Sequence, residues 1–188
     1  HNLCKPTDIV IPTHFIDELS GKLLHKKAKI HRIDGLHGHV HLHPTLRPRT
    51  VSTPPKVMVR RLVGDGIHDS DEILEIPENW LEGLDVKYAD ENEVEGNPWD
   101  LITKISSMDG VITQSVTLAS ESALLGVPCL LVTKAVRGFL QRLENEGYPL
   151  FIANKIDESI LSSWLAGIHL TDVLELPDWP NTRQQLLN

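Results

Sequence analysis

The sequence contains few aromatic residues, little cysteine and no long hydrophobic run. Phe, Trp and Tyr make up 5% of its 188 residues, and the two cysteines, Cys4 and Cys129, lie far apart. This cysteine usage provides neither a disulfide framework nor the ligand spacing of a zinc site. No apolar run approaches the roughly 20 residues that cross a bilayer, and no signal segment opens the sequence. We therefore expect no transmembrane segment, a reducing environment and a cytoplasmic location.

Charge is distributed unevenly along the chain, whose net charge is −8. Residues 1–63 contain 11 Lys and Arg against 4 Asp and Glu, whereas residues 64–188 contain 7 against 22. Residues 65–95 alone hold 12 acidic residues and one lysine. Such a run is typical of a solvated acidic face and would repel phosphate backbones. We therefore expect no nucleic acid partner.

From residue 56 onward, short apolar segments alternate with segments of helical period. Alternation of this kind implies right-handed crossovers and a buried parallel sheet. The pattern predicts strands at 56–63, 85–88, 109–113, 128–132 and 149–152, and helices at 78–83, 98–106, 116–125, 136–146 and 157–166. We predict an α/β fold for residues 56–188, a Rossmann-like domain with a doubly wound parallel sheet.

The first 55 residues have a different pattern. They predict a strand at 8–11, a helix at 15–24 capped by Thr13, and a strand at 29–33. Residues 34–55 are rich in Gly, Pro and His without a helical period, which indicates an extended connector. We interpret residues 1–55 as the end of a preceding domain and an interdomain connector, and we expect the sequence to be a piece of a longer protein.

Four histidines alternate within this connector, at His37, His39, His41 and His43. If the segment is extended, all four side chains lie on one face, and two of them can share a zinc or nickel ion. No Cys, Asp or Glu separates them, so the fixed four-ligand set of a structural metal site is missing. We expect adventitious nickel binding and no biological metal site.

The segment 108–132 carries the most chemical information. A strand ends at Thr113, Ser115 is placed to cap a helix, and that helix ends at Gly126. A helix beginning at the carboxyl end of a parallel strand offers backbone N–H groups and a positive dipole end to a phosphate. The hydroxyls of Ser115 and Thr117 add donors, and Glu121, among small residues one turn later, is placed to accept from a ribose diol. In the alternative interpretation Ser115 is only a cap and Glu121 is a solvated helix acid.

The same segment resembles the C-terminal domain of GT-B glycosyltransferases and of UDP-N-acetylglucosamine 2-epimerases. Their strand, Gly/Ser-Gly-Thr turn and Glu-Ala-x-x-Leu-Gly-x-Pro helix correspond here to Ser115-Val116-Thr117 and to residues 121–128. The chain resembles even more an uncharacterised, largely archaeal family of predicted glycosyltransferases, a domain of unknown function. That likeness lies in Ile11-Pro12, Asp34-Gly35-Leu36, Leu42-His43-Pro44, Arg60-Arg61, His68-Asp69 and the helix at 117–128. It covers nearly the whole chain and corresponds to the second half of such an enzyme.

The resemblance implies transfer of a sugar from a nucleoside diphosphate donor, without a metal or cofactor. Ser115, Val116, Thr117 and Glu121 would bind the donor. The helix dipole with Arg60 or Arg61 would stabilise the departing diphosphate, and His68 would orient phosphate or sugar. The acceptor and the catalytic base would belong to an amino-terminal domain missing from this sequence, so the chain alone would be inactive.

Two features leave other interpretations open. The relatives tend to have Gly at the two turn positions that Ser115 and Val116 occupy here, and the branched side chain of Val116 lies where backbone approaches phosphate. His68 is either a site residue or a loop histidine paired with Asp65 or Asp69. The alternatives are a nucleotide-sugar 2-epimerase of the same fold, or a non-catalytic α/β binding module.

Overall fold

The structure is a computed structural model that describes residues 7–13, 28–42, 50–62, 73–89, 98–170 and 176–187. The chain divides into two compact units. The smaller falls within His1–His41 and Asp178–Asn188, and the larger within Leu42–Pro177. The helix expected at 15–24 lies outside the described residues. The boundary predicted at residue 55 concerns the domains of the intact protein and stays a prediction.

Strands and short helices make up most of the described residues. The strands are β1 (Asp8–Pro12), β2 (Lys29–Ile33), β3 (Lys56–Arg60), β4 (Asp85–Tyr88), β5 (Gly110–Thr113), β6 (Cys129–Val132) and β7 (Leu150–Ala153). The helices are α1 (Gly38–His41), α2 (Pro98–Ser106), α3 (Val116–Leu124), α4 (Gly138–Asn145), α5 (Glu158–His169) and α6 (Thr182–Leu187), and a 3-10 helix covers Glu78–Leu81. None of these helices is both long and apolar enough to cross a membrane.

The larger unit is built on a five-stranded parallel sheet with the strand order β4-β3-β5-β6-β7. Each strand and each helical segment predicted between residues 56 and 169 is present, so the Rossmann-like α/β fold is confirmed. Most boundaries agree within two residues, and the two largest differences are of three residues. β3 ends at Arg60 and not at residue 63, and α5 continues beyond residue 166 to His169.

Helices cover both faces of this sheet. On one face, Val57, Val59 and Ile112 pack in a single buried cluster with Trp80 of the 3-10 helix and Trp164 of α5. Successive residues of a strand point to opposite faces of the sheet. The strand residues that alternate with Val57, Val59 and Ile112 therefore belong to the other face. α3 packs against β5 and β6, and it contacts α2 and α4. The inner strands β3, β5 and β6 are therefore buried on both sides, which explains their nearly unbroken apolar sequences, whereas the edge strand β4 is partly exposed.

Trp164 anchors α5 to the sheet. It is fully buried, and its indole Nε1 donates a hydrogen bond of 3.0 Å to the carbonyl oxygen of Pro128. Gly110, at the start of β5, leaves room for the indole ring. A Cβ at Gly110 would lie 2.7 Å from Trp164 Cζ2 and 2.8 Å from Ile168 Cδ1. The position therefore requires glycine, because the Trp164 and Ile168 side chains leave no room for a Cβ.

The smaller unit joins residues from both ends of the sequence. β1 and β2 form a parallel pair, and α6 packs against β2 and α1. Thr182 Oγ1 donates to the carbonyl oxygen of Asp34 at 2.8 Å, and the Asp34 backbone N–H donates to Gln185 Oε1 at 2.8 Å. Gly35 has a φ of 102°, and a Cβ there would lie 1.9 Å from Thr182 Oγ1. The Asp34-Gly35-Leu36 segment therefore lies directly under α6, a helix that the sequence pattern did not predict.

The prediction of a fully extended connector was wrong, because residues 38–41 form the short helix α1. His37 and His41 share one side of this turn, with ring centroids 4.9 Å apart. His39 is buried instead, where its Nδ1 accepts a hydrogen bond of 2.7 Å from the Leu36 backbone N–H and its ring packs edge-on against Trp179. His43 lies outside the described residues. The histidines therefore do not share the face that an extended strand would create.

We predict that Gly110→Ala destabilises the protein by about 1–3 kcal/mol, the usual cost of overpacking a filled core. Gly138→Ala is the matched control, because no atom lies within 4 Å of the Cβ it would add. Urea denaturation followed by circular dichroism measures both. Equal stability of the two variants would contradict the packing role of Gly110.

Candidate functional site

The carboxyl edge of the sheet has a topological switch point between β3 and β5. From β3 the chain crosses to β4 on one side, and from β5 it crosses to β6 on the other. Ligands of open α/β sheets bind in the crevice that such a reversal creates. The strand register places Arg60 opposite Thr113 at this point. The predicted arginines and the predicted phosphate-binding turn thus end neighbouring strands.

The turn between β5 and α3 is held by two hydroxyl groups. Thr113 is fully buried, and its Oγ1 accepts a 3.0 Å hydrogen bond from the Ser115 backbone N–H. Ser115 Oγ in turn accepts from the Leu118 N–H at 3.4 Å, which makes Ser115 the N-cap of α3. The predicted cap is confirmed. Because the cap serves only one of the first N–H groups, the end of the helix retains its capacity for an anion.

α3 presents a narrow face to solvent. Most of its residues are buried against the sheet, whereas Thr117 is exposed and Val116 and Glu121 are half-buried. Thr117 and Glu121 are four residues apart and therefore lie on the same side of the helix, one turn from each other. The predicted hydroxyl donor, Thr117, and the predicted carboxylate, Glu121, therefore follow one another along one side of α3, starting from its amino end.

Arg60, the last residue of β3, and Arg61, directly after it, lie on different faces of the sheet. Val57 and Val59 belong to the cluster on the 3-10 helix side, so the alternation of the strand places Arg60 on the α3 side. The Nε of Arg60 is buried there. Arg61 instead pairs with Glu78 of the 3-10 helix, and its guanidinium carbon lies 5.5 Å from the centroid of the Tyr88 ring. The structure brings Arg60, and not Arg61, to the face that carries the predicted phosphate-binding turn.

His68, the third predicted catalytic residue, lies outside the described residues. Among those described, no three His, Cys, Asp or Glu side chains group as metal ligands. Burial raises the pKa of the Cys129 thiol, which is part of the core. The roles of His68, Arg60 and Arg61 stay predictions.

Gln114 is a residue of this edge that the sequence analysis missed. It is buried, and its Oε1 accepts a 2.7 Å hydrogen bond from the Leu62 N–H while its Nε2 donates to the Leu74 carbonyl oxygen at 2.6 Å. One side chain thereby joins the residues that flank the segment 63–72 to the end of β5. The only signal in the sequence is an amide between Thr113 and Ser115, directly after an apolar strand.

A second feature missed from the sequence is a cavity of about 430 Å³ at the carboxyl ends of β6 and β7, beside α4. Its apolar lining consists of Ala135, Val136, Leu140 and Ile152, and its polar lining consists of Lys134, Arg137, Gln141, Glu144 and Asn154. The turn that leads into it repeats the one at α3, since Thr133 Oγ1 accepts from the Ala135 N–H at 3.0 Å. Burial raises the pKa of the Glu144 carboxyl. The cavity is thus one strand further along the same sheet edge.

Comparisons with protein-family models, with curated proteins and with solved structures find no match to this chain. The site is therefore defined by its geometry alone.

We predict that Gln114→Leu lowers the free energy of unfolding by about 1–3 kcal/mol, because it leaves the Leu62 N–H and the Leu74 carbonyl without their partner. Gln141→Leu is the matched control, since Gln141 is exposed on α4. Chemical denaturation measures both variants. If Gln114→Leu is as stable as the control, the amide does not hold this edge of the sheet.

Proposed function

We propose that the larger unit binds a nucleoside diphosphate sugar at the switch point, and that the intact protein is a GT-B-like glycosyltransferase. The observation that carries this proposal is the meeting of three groups on one face of the carboxyl edge. These groups are the amino end of α3, the exposed hydroxyl of Thr117 and the guanidinium-bearing Arg60. All three favour an anion, although the larger unit as a whole is rich in acids.

The diphosphate is the part of the donor that these groups suit. A helix amino end provides N–H donors and the equivalent of about half a positive charge. An arginine at the same edge adds a permanent charge and a planar set of donors that match phosphate oxygens. Thr117 contributes one hydroxyl donor. Arg61 lies on the other face of the sheet, where it pairs with Glu78 of the 3-10 helix, so we assign the diphosphate to Arg60.

The ribose is assigned to Glu121. One helical turn separates this carboxylate from Thr117, a rise of about 6 Å over four residues. That spacing suits a nucleotide whose phosphates lie at the end of α3 and whose sugar lies along it. A half-buried carboxylate accepts hydrogen bonds from both hydroxyls of a ribose diol.

In the proposed reaction the bond between the anomeric carbon and the diphosphate oxygen breaks, and an acceptor hydroxyl forms the new bond to that carbon. The diphosphate leaves with added negative charge, which the α3 dipole and Arg60 stabilise more strongly than they stabilise the bound donor. The proton of the acceptor passes to a base on the amino-terminal domain. We place the reaction in the cytoplasm, because the sequence has only two cysteines and no disulfide framework.

We predict that UDP, GDP or ADP protects the chain against thermal unfolding, by about 2.7 kcal/mol at a hundredfold excess over the dissociation constant. Glu121→Ala abolishes this protection for the diphosphate that binds, because the ribose loses its acceptor. Glu146→Ala is the matched control. It removes a carboxylate that follows the last residue of α4, at the opposite edge of the sheet.

Thermal unfolding and titration calorimetry of the folded variants separate the outcomes. Protection that survives Glu121→Ala removes Glu121 from the ribose role. Absence of binding by all three diphosphates to the folded chain would overturn the proposed function and favour the non-catalytic binding module.

We predict that the series Val116, Val116→Ala and Val116→Gly binds diphosphate with increasing affinity. Removal of the branched side chain lets the first N–H groups of α3 approach the phosphate. The glycine variant also loses up to about 1 kcal/mol of stability without ligand, the propensity cost of glycine in a helix. Calorimetry measures the affinity and unfolding measures the stability, and an unchanged affinity across the series would show that Val116 does not limit binding.

A further inference from the structure

We propose that the cavity beside α4 holds the transferred sugar and that this sugar is a hexuronate, which carries a carboxylate. This inference rests on the proposed function, since it assigns the neighbouring end of the same donor. It is carried by the position of the cavity, by the chemistry of its lining and by its two basic residues.

The position of the cavity fits the sugar end of the donor. β5 and β6 are adjacent strands, and α3 and α4 pack against each other and begin at the same edge. Packed helices lie about 8–10 Å apart, and both helices begin at this edge, so the cavity at α4 is next to the amino end of α3. A sugar linked to a diphosphate at α3 therefore reaches the cavity directly.

The lining suits a polyhydroxylated ring. Buried Ala135 and Leu140, with Ile152, form an apolar wall for the C–H face of a sugar. The amides of Gln141 and Asn154 offer both donors and acceptors to hydroxyl groups. The volume of about 430 Å³ lies within the range of small-molecule sites, and it is larger than a single hexose needs.

The charge of the lining points to an anionic substituent. Lys134 and Arg137 are two of only seven basic residues in 64–188, a region with 22 acids, and both line this cavity. Arg137 Nη1 donates to the Val136 carbonyl oxygen at 3.1 Å, which holds its guanidinium next to the turn. The acid of the lining, Glu144, is seven residues further along α4, about 10 Å by the helical rise. The cavity thus has a cationic end where a carboxylate binds and an acidic end that accepts hydroxyl hydrogens.

The test is a titration of the full chain, methyl-labelled for NMR, with glucuronate, glucose and acetate in separate experiments. We expect glucuronate to shift the methyl signals of Val136, Leu140 and Ile152 and to bind about tenfold more tightly than glucose, the effect of one charge-assisted contact. Acetate, which lacks the ring, binds more weakly than glucuronate. Lys134→Gln and Arg137→Gln each reduce the preference for glucuronate, whereas Lys104→Gln on α2 leaves it unchanged.

Three results would overturn the inference. These are the absence of shifts with glucuronate, equal affinity for glucuronate and glucose, and acetate binding as strong as glucuronate binding, which would reduce the cavity to a plain anion site. A parallel titration with UDP, GDP and ADP, observed at the amide signals of residues 115–117, tests the proposed function separately. Diphosphate binding without glucuronate binding removes only this inference. Glucuronate binding without diphosphate binding overturns the proposed function, and with it the role of the cavity in holding a transferred sugar, and leaves the cavity as a separate hexuronate site.

Discussion

The buried amide of Gln114 is the interaction on which the carboxyl edge of the sheet depends. A parallel sheet of such short strands ends abruptly, and the backbone groups just beyond it must find partners away from water. Gln114 donates to one side of the segment 63–72 and accepts from the other. By this means the crossover between β3 and β4 is held against β5, and the switch point has a defined shape.

The pleat of β3 then decides which basic side chain belongs to the candidate site. Arg60 and Arg61 are neighbours in the sequence, but the alternation of the strand places them on opposite faces. Arg61 is held by Glu78 and Tyr88 on the side of the 3-10 helix, whereas Arg60 is on the side of the sheet that α3 covers. The hydroxyls of Thr113 and Thr133 shape matching turns on adjacent strands, so the turn that begins α3 and the cavity lie next to each other on one edge.

The packing of α5 on the sheet stabilises the strands that end at this edge. Trp164 joins α5 to the Pro128 carbonyl and occupies the space that Gly110 leaves vacant. Buried serine and threonine side chains form hydrogen bonds with backbone groups close by in the sequence. Ser122 Oγ, for example, donates to the Leu118 carbonyl oxygen at 2.7 Å. The polar groups of α3 that remain toward solvent are therefore those of its amino end and of its Thr117 and Glu121 face.

The sequence by itself determined the elements of the larger unit. Periodicity is a local property, so it predicted α2 at 98–106, β4 at 85–88 and the Ser115 cap in agreement with the structure. Only the tertiary structure decided the Gln114 bonds, which join residues 52 and 40 positions apart, and the burial of His39 against Trp179. The same holds for the contacts of Arg61 with Glu78 and Tyr88 and for the cavity beside α4. These features depend on which distant segments meet, and hydrophobic patterning along one strand or helix carries no information about the partner on the neighbouring one.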